Sequence, residues 1–282
     1  MSDARARLAS VEIGGRVPVA IMGVINVSPE SFHRGSVHAA DAVVRVALEM
    51  VDAGATLVDV GARSTAPYLV ATGISEADEA DRLVRAVERL ADKLPVPVSA
   101  DTTRPAVARA ALEAGARVVN DVSALADPAL AHEVVAHDAS LITMAAPGPG
   151  RPLGAPVATV HAILGEALAR ARAAGIPEER IVLDPGIGFF RDAAVAWHEW
   201  DVAVLTGLAT LSELDRPLCV GVSRKSFIGA LTGRTDTEDR LAGSLAATAV
   251  AVLNGAALIR THDVRETLDA VRVAERVRGR RP

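Results

Sequence analysis

Aromatic residues are scarce in this 282-residue chain: two Trp, one Tyr and four Phe, 2% of the total. A chain this long buries a large core, so that core has to be built from Ala, Val, Leu and Ile. Cysteine occurs once, at Cys219, which excludes an intrachain disulfide and a cysteine-based zinc cluster. Cys219 lies in an apolar run and reads as an inert small hydrophobe. No excess of positive charge exists either: 30 basic against 35 acidic residues leave a net charge of −5. Such a balance has no electrostatic footprint for duplex nucleic acid or an anionic membrane. The first ten residues lack the apolar stretch of a signal peptide. The most apolar window, 241–259, is interrupted by Gly243, Ser244, Thr248, Asn254 and Gly255. It reads as a buried helix running into a strand, not as a membrane span. A soluble, cytoplasmic protein is expected. Lysine is rare as well, with only Lys93 and Lys225 among the 30 basic residues. Where a lysine survives such bias, a specific role for an ammonium group is worth asking about.

What the chain does have is a recurring pattern. Short β-branched runs ending in polar residues alternate with helical stretches rich in Ala, Leu, Val and Arg, which predicts parallel strands joined by crossover helices. The strands fall at 18–25, 56–60, 96–100, 117–120, 140–144, 181–184, 217–222 and 257–261. The helices fall near 38–53, 75–93, 104–114, 127–138, 156–174, 194–213, 236–253 and 264–278. Ser75 is placed to cap its helix, although the residue three positions on is Asp78 and not Glu or Gln. Gly54, Gly115, Gly175 and Gly255 each follow a helical run, as C-terminal caps do, and Pro105 sits in a first turn, where its missing N–H costs nothing. Eight strands and eight helices form the set of an α/β, single (β/α)8 barrel domain spanning 1–282. A doubly wound open sheet fits less well, because no GxGxxG turn follows the first strand.

Barrel enzymes place their sites at the C-terminal ends of the strands. Here those ends carry Asn26, Asp59, Asp101, Asn120-Asp121, Asp184, Ser223-Arg224-Lys225-Ser226 and Arg260-Thr261-His262-Asp263. Strand five instead ends in the apolar Met144-Ala145-Ala146. Carboxylates and amides gather on strands two, three, four and six, and cations on strands seven and eight. Ionised carboxylates accept hydrogen bonds only, so the first group suits a heterocycle edge rich in N–H donors, such as a 2-amino-4-oxopyrimidine. Arg224, Lys225, Arg260 and His262 suit a phosphate or a carboxylate. Asn26 with nearby carboxylates and a phosphate offers the oxygen donors that Mg²⁺ prefers.

At these residues the chain resembles the dihydropteroate synthases. The resemblance runs through Ile21-Met22-Gly23-Val24-Ile25-Asn26-Val27-Ser28-Pro29-Glu30-Ser31-Phe32, Asp101-Thr102, Asn120-Asp121-Val122-Ser123, Leu183-Asp184-Pro185-Gly186-Ile187-Gly188-Phe189, Ser223-Arg224-Lys225-Ser226-Phe227-Ile228-Gly229 and Arg260-Thr261-His262-Asp263-Val264, in family order. It implies condensation of 6-hydroxymethyl-7,8-dihydropterin pyrophosphate with para-aminobenzoate to 7,8-dihydropteroate and pyrophosphate, in folate biosynthesis. It also implies Mg²⁺ as cofactor and a homodimer. Asp101, Asn120, Asp184 and Lys225 would hold the pterin, and Asn26, Arg260 and His262 the pyrophosphate, with Asn26 acting partly through the metal. Phe189, Lys225 and Ser226 would border the aminobenzoate pocket. Asp59, Thr65, Met144 and Gly188 complete the implied substrate contacts. Asp101, Asp184, Lys225, Arg260 and His262 are the candidate catalytic residues: departure of pyrophosphate leaves a cation on the pterin methylene, so stabilisation is mainly electrostatic and no protein nucleophile is required.

The chain departs from the family's pattern in its loops. Arg63 stands where the family has Glu, and Ala66 where it has Arg. His33-Arg34-Gly35-Ser36, Ala145-Ala146 and Phe190-Arg191 are further changes. These lie towards the aminobenzoate side and imply altered handling of analogues such as sulfonamides. Two other readings stay open: a pterin-binding paralogue without efficient synthesis, and a folate-dependent methyltransferase of the same superfamily. The cationic cluster of strands seven and eight speaks against the methyltransferase, which has no pyrophosphate to hold.

Overall fold

The computed structural model describes residues 4–27, 38–63, 74–148, 150–190 and 196–279. An antiparallel hairpin, β1 (Arg5–Leu8) and β2 (Val11–Gly14), comes first. Eight parallel strands follow: β3 (Ala20–Asn26), β4 (Leu57–Gly61), β5 (Val98–Asp101), β6 (Val118–Asp121), β7 (Ser140–Met144), β8 (Ile181–Asp184), β9 (Cys219–Gly221) and β10 (Leu258–Thr261). Their order, β8-β7-β6-β5-β4-β3-β10-β9, makes each a neighbour of the next in sequence, with β10 returning to β3. The remaining seam is closed by a parallel bridge between Leu183 and Leu218 and by the Leu183 N–H donating to the Pro217 carbonyl at 3.0 Å. This is a (β/α)8 barrel.

The helices are α1 (His38–Asp52), α2 (Glu76–Ala91), α3 (Pro105–Glu113), α4 (Pro128–Ala136), α5 (Pro156–Ala173), α6 (Trp197–Thr206), α7 (Ser226–Thr232), α8 (Leu241–Leu253) and α9 (Val264–Val277). Their ends follow local chemistry. Ser75 accepts the Asp78 N–H at 3.0 Å, and its hydroxyl donates to the Asp78 carboxylate at 2.7 Å, so Asp serves the box in its own way. Gly54, Gly115, Gly175 and Gly255 all take positive φ. The apolar 241–259 window is α8 followed by β10, and no helix among the described residues is long and apolar enough to cross a membrane.

Strand alternation divides the core in two. Outward-facing strand residues pack under the helices in one large cluster that includes Val58, Val60, Val119, Leu141, Leu183 and Ile259. Inward-facing Met22, Leu57, Val118, Ile142, Val182, Cys219 and Leu258 form a second, smaller one. Ala6, Leu8 and Ile13 of the hairpin join this second cluster and plug the barrel from below. Ser140 ties the plug down, donating to the Arg7 carbonyl at 3.1 Å and accepting the Ala9 N–H at 3.0 Å. The plug was not foreseen, because two four-residue strands carry too little periodicity to register.

Two further elements differ from expectation. The helix expected over 194–213 ends at Thr206 and passes into a 3₁₀ segment, Leu208–Leu214. Residues 226–232, read only as a strand-end loop, form the short helix α7.

Candidate active site

Two residues further along most of the strands the inward positions change character. Above the apolar floor stand Asp59, Asp101, Asn120, Met144, Asp184 and Arg260, where register pairs Asp101 with Asn120 and Met144 with Asp184. Asp59 is fully buried and Asp101 is 8% exposed. The Arg260 guanidinium lies between them: Nε donates to Asp59 Oδ2 at 2.7 Å and Nη2 to Asp101 Oδ2 at 2.8 Å. Asn120 Nδ2 donates to the same Asp59 oxygen at 3.0 Å. The other oxygen of each carboxylate, Asp59 Oδ1 and Asp101 Oδ1, is buried with no hydrogen-bond partner among the described residues. An unsatisfied buried acceptor is costly. Two such acceptors on neighbouring strands suit a ligand that brings N–H donors.

The sequence reading set Arg260 apart with the cations; in the structure it is sunk between the acids. The cause is alternation: Arg260 occupies the same inward register as Met22 and Gly221, and the missing side chain of Gly221 leaves it room. Arg224 is likewise removed from the free cations. It bonds Asp263 at 3.0 and 2.6 Å and pairs with Glu238. Asn120 and Asp121, adjacent in sequence, part company. Asn120 points in, whereas Asp121 points out and accepts from Ser123 N, Leu125 N and Thr143 Oγ1 at 2.9, 2.6 and 3.2 Å, a structural role in the following turn.

Asp184 ends β8 and accepts the Gly186 N–H at 2.7 Å. Burial raises its pKa, opposed first by the Lys225 ammonium. Lys225 donates to the Ile187 carbonyl and stands 4.4 Å from the Phe189 ring centroid. Gly188 has φ +86°, and a Cβ there would lie 2.6 Å from Lys225 Cδ, so a bare main chain is needed beneath the lysine. Ser226 begins α7 directly after Lys225. Met144 is buried at the end of β7. Asn26, at the last inward position of β3, is exposed. His262 Nδ1 lies 3.1 Å from Ser223 Oγ at the rim. His262 is exposed; desolvation, then the Arg260 cation, pushes its imidazole down to about 4, against the pull of Asp263. Thr65 lies outside the described residues, as do Ala66 and His33-Arg34-Gly35-Ser36.

Sequence reasoning missed three residues. Glu79 is 1% exposed: it accepts Thr102 Oγ1 at 2.7 Å and pairs with Arg104 at 2.9 Å and Arg63 at 3.4 Å. In the acidic run Glu76-Ala77-Asp78-Glu79 it carried no signal of burial. Cys219 is buried, its thiol pushed up by burial and then by the Asp184 carboxylate, with which it shares a hydrogen bond. Its contact with a candidate site residue was not foreseen. The third is Asp201, treated below.

Burial, then the neighbouring Asp59, raises the Asp101 carboxyl to about 7 in spite of Arg260. A ligand donating N–H groups favours the ionised acid. Binding of a pterin is therefore expected to release a proton below pH 7, and its affinity to rise between about pH 6 and 8. Calorimetry in two buffers of different ionisation enthalpy checks this. A buffer-independent enthalpy at pH 6.5 would contradict it.

A family profile described as pterin binding enzyme matches residues 22–262. The chain belongs to the pterin-binding enzyme family. Within that family it is 38% identical over 263 residues to the dihydropteroate synthase of Escherichia coli strain K12, covering 90% of each. It is 39% identical over 270 residues to that of Mycobacterium leprae, covering 91% of this chain and 92% of the relative. Among solved structures, the Xanthomonas albilineans dihydropteroate synthase with 4-aminobenzoic acid superposes with a TM-score of 0.87 at 37% identity, covering 98% of both chains. The same enzyme in complex with 7,8-dihydropteroate gives 0.84 at 36% identity, covering 97% of this chain and 98% of that one.

Proposed function

We propose that this one-domain barrel is a dihydropteroate synthase. It condenses 6-hydroxymethyl-7,8-dihydropterin pyrophosphate with para-aminobenzoate to 7,8-dihydropteroate and pyrophosphate in folate biosynthesis. The observation that carries the reading is the pair of unpartnered carboxylate oxygens on Asp59 and Asp101, with Asn120 and Asp184 beside them. They are acceptors for the N–H edge of a pterin.

The C–O bond from the pterin methylene to pyrophosphate breaks, and its electron pair leaves with the pyrophosphate. Asp101 and Asp184 favour the cation left on the ring system, with Lys225 at the pterin end beside Asp184; Arg260, through the guanidinium hydrogens that the acids do not take, and His262, as a neutral N–H donor, favour the departing anion. The arylamine lone pair then forms the C–N bond and the amine loses a proton. Phe189, Ser226 and Lys225 border the arylamine, with sulfonamides competing for the same place.

No group of three His, Cys, Asp or Glu able to hold a metal exists among the described residues. The Asn26 side-chain oxygen, exposed at the end of β3, fits Mg²⁺ that takes its other ligands from water and substrate phosphate. Such a metal would supply neutralisation of the leaving anion. Val250 and Leu253 on α8 and Val273 and Val277 on α9 are exposed apolar residues on two helices packed together. They are the surface we assign to pairing of two copies, read by sedimentation mass.

The deciding experiment is pyrophosphate release from dihydropterin pyrophosphate and Mg²⁺, with and without para-aminobenzoate, followed by product mass. Aminobenzoate-dependent formation of dihydropteroate is expected. Pterin binding without product would overturn synthesis and leave a pterin-binding paralogue whose second loop, with Arg63 and Ala66, has lost the second substrate.

A further inference from the structure

Asp201, in α6, is fully buried and has no place in the chemistry above. Burying a carboxylate is costly unless it is bonded, and an apolar residue would pack there at less cost. Its Oδ1 accepts the Gly188 N–H at 2.7 Å. The preceding residue, Trp200, stacks on Phe190 with ring centroids 5.0 Å apart and planes at 20°, and both rings are buried. Consecutive residues of α6 thus pin positions 188 and 190 of the loop after β8, one through a hydrogen bond and one through a ring. Phe189, between the two pins, lies under the Lys225 ammonium, which also donates to the Ile187 carbonyl. Gly188 is held at φ +86° with the Lys225 stem passing over it. Each contact of Lys225 with this loop therefore depends on where α6 holds the main chain.

We propose that Asp201 is a positioning residue for the pterin end of the site, setting through Gly188 where Phe189 and Lys225 stand. The proposal rests on the pterin-binding reading of the barrel mouth. It adds a residue on the outer helix layer to the determinants of substrate affinity. Because the pins hold the loop in the free protein, their contribution is to binding of ground state and transition state alike. Removing one is therefore expected to raise KM and leave kcat nearly untouched.

The test uses the full chain with Asp201→Ala and Asp201→Asn, reading the Kd for dihydropterin pyrophosphate by calorimetry well below the melting temperature, then KM and kcat. Asp201→Ala is expected to weaken pterin binding and raise its KM by about tenfold, the scale of a hydrogen bond to a charged group, with kcat little changed. Asp201→Asn keeps an acceptor oxygen for Gly188 and is expected to restore binding to within about threefold. A lowered melting temperature with unchanged pterin Kd in Asp201→Ala would make the residue a packing element only and overturn the proposal. So would an Asn variant as impaired as the Ala variant. If Asp201→Ala does not fold, Asp201→Glu, which keeps the charge but displaces the oxygen, carries the same expectation, and an unchanged pterin KM overturns it. Calorimetric pterin binding needs no turnover. A wild-type protein that binds pterin but makes no dihydropteroate would therefore refute the synthase reading and leave this test standing.

Discussion

Replacing Lys225 by Ala is expected to lower kcat/KM by about 10²–10³-fold, the usual cost of removing one preorganised charge from a developing ionic centre. Two effects act together. The ammonium at the pterin end of the site is lost, and Asp184 loses the first of the groups opposing its raised pKa. Burial then drives the carboxyl further up, which weakens it as an acceptor for the pterin edge. The pH dependence of pterin binding separates this from a simple loss of contact: its acid limb is expected to move to higher pH in the variant. Arg at 225 is not expected to rescue. The Ile187 carbonyl and the Phe189 face accept a compact ammonium, a point charge that a planar fork does not reproduce. Steady-state kinetics with both substrates varied checks the prediction, and a loss below about fivefold would place the reacting end elsewhere.

The second large effect is on stability. Arg260 is the counter-charge of two buried acids, so Arg260→Ala leaves Asp59 and Asp101 facing one another unpaired. Breaking a buried pair in this way costs about 3–5 kcal/mol, a fall in melting temperature on the order of 10 °C for a chain of this size. The sign with pH follows from the direction of the shift. In the folded protein Asp101 is raised from 3.8 to about 7, so it binds a proton more tightly folded than unfolded. Its contribution to stability is complete below about pH 4 and is lost as pH rises through 7. Without Arg260, whose charge lowers that value, the folded pKa moves higher still. The deficit of the variant is therefore expected to be smallest near pH 5, where protonation relieves the pair, and largest above pH 8. Melting curves at pH 5, 7 and 8.5 read it directly. A deficit independent of pH would mean that lost packing of the arginine stem, and not the exposed charge pair, is responsible.

Much of the barrel was legible residue by residue. All eight barrel strands stand within two residues of the expected limits; β9 is the shortest, its ladder keeping Cys219–Gly221 of the expected 217–222. The reason is strong local patterning: each strand is a short β-branched run, seven of the eight with an abrupt polar end, and each helix begins or stops at a Ser, Pro or Gly whose local chemistry is self-sufficient. Asn26, Asp59, Asp101, Asn120, Asp184, Lys225, Arg260 and His262 were legible for the same reason, since a residue at a strand end in this topology has one rim to reach. The hairpin plug was not legible, because its two strands pair only with each other and are justified by the hollow they fill. Nor was the burial of Glu79 and Asp201, two acids in helices whose sequences also carry exposed acids.

By itself the sequence determined the order of elements, the closure of eight parallel strands and the rim on which the polar residues gather. These depend on neighbours in the chain and on the period of two along a strand. The tertiary structure alone decided which charges meet. Arg260 faces Asp59 across 201 positions of sequence and Asp101 across 159, Arg224 is drawn off to Asp263 and Glu238, and Asp121 turns away from Asn120. Electrostatic pairing falls off with distance in space, not with separation along the chain. Which carboxylate oxygens remain open to a ligand therefore emerges only when the barrel is closed.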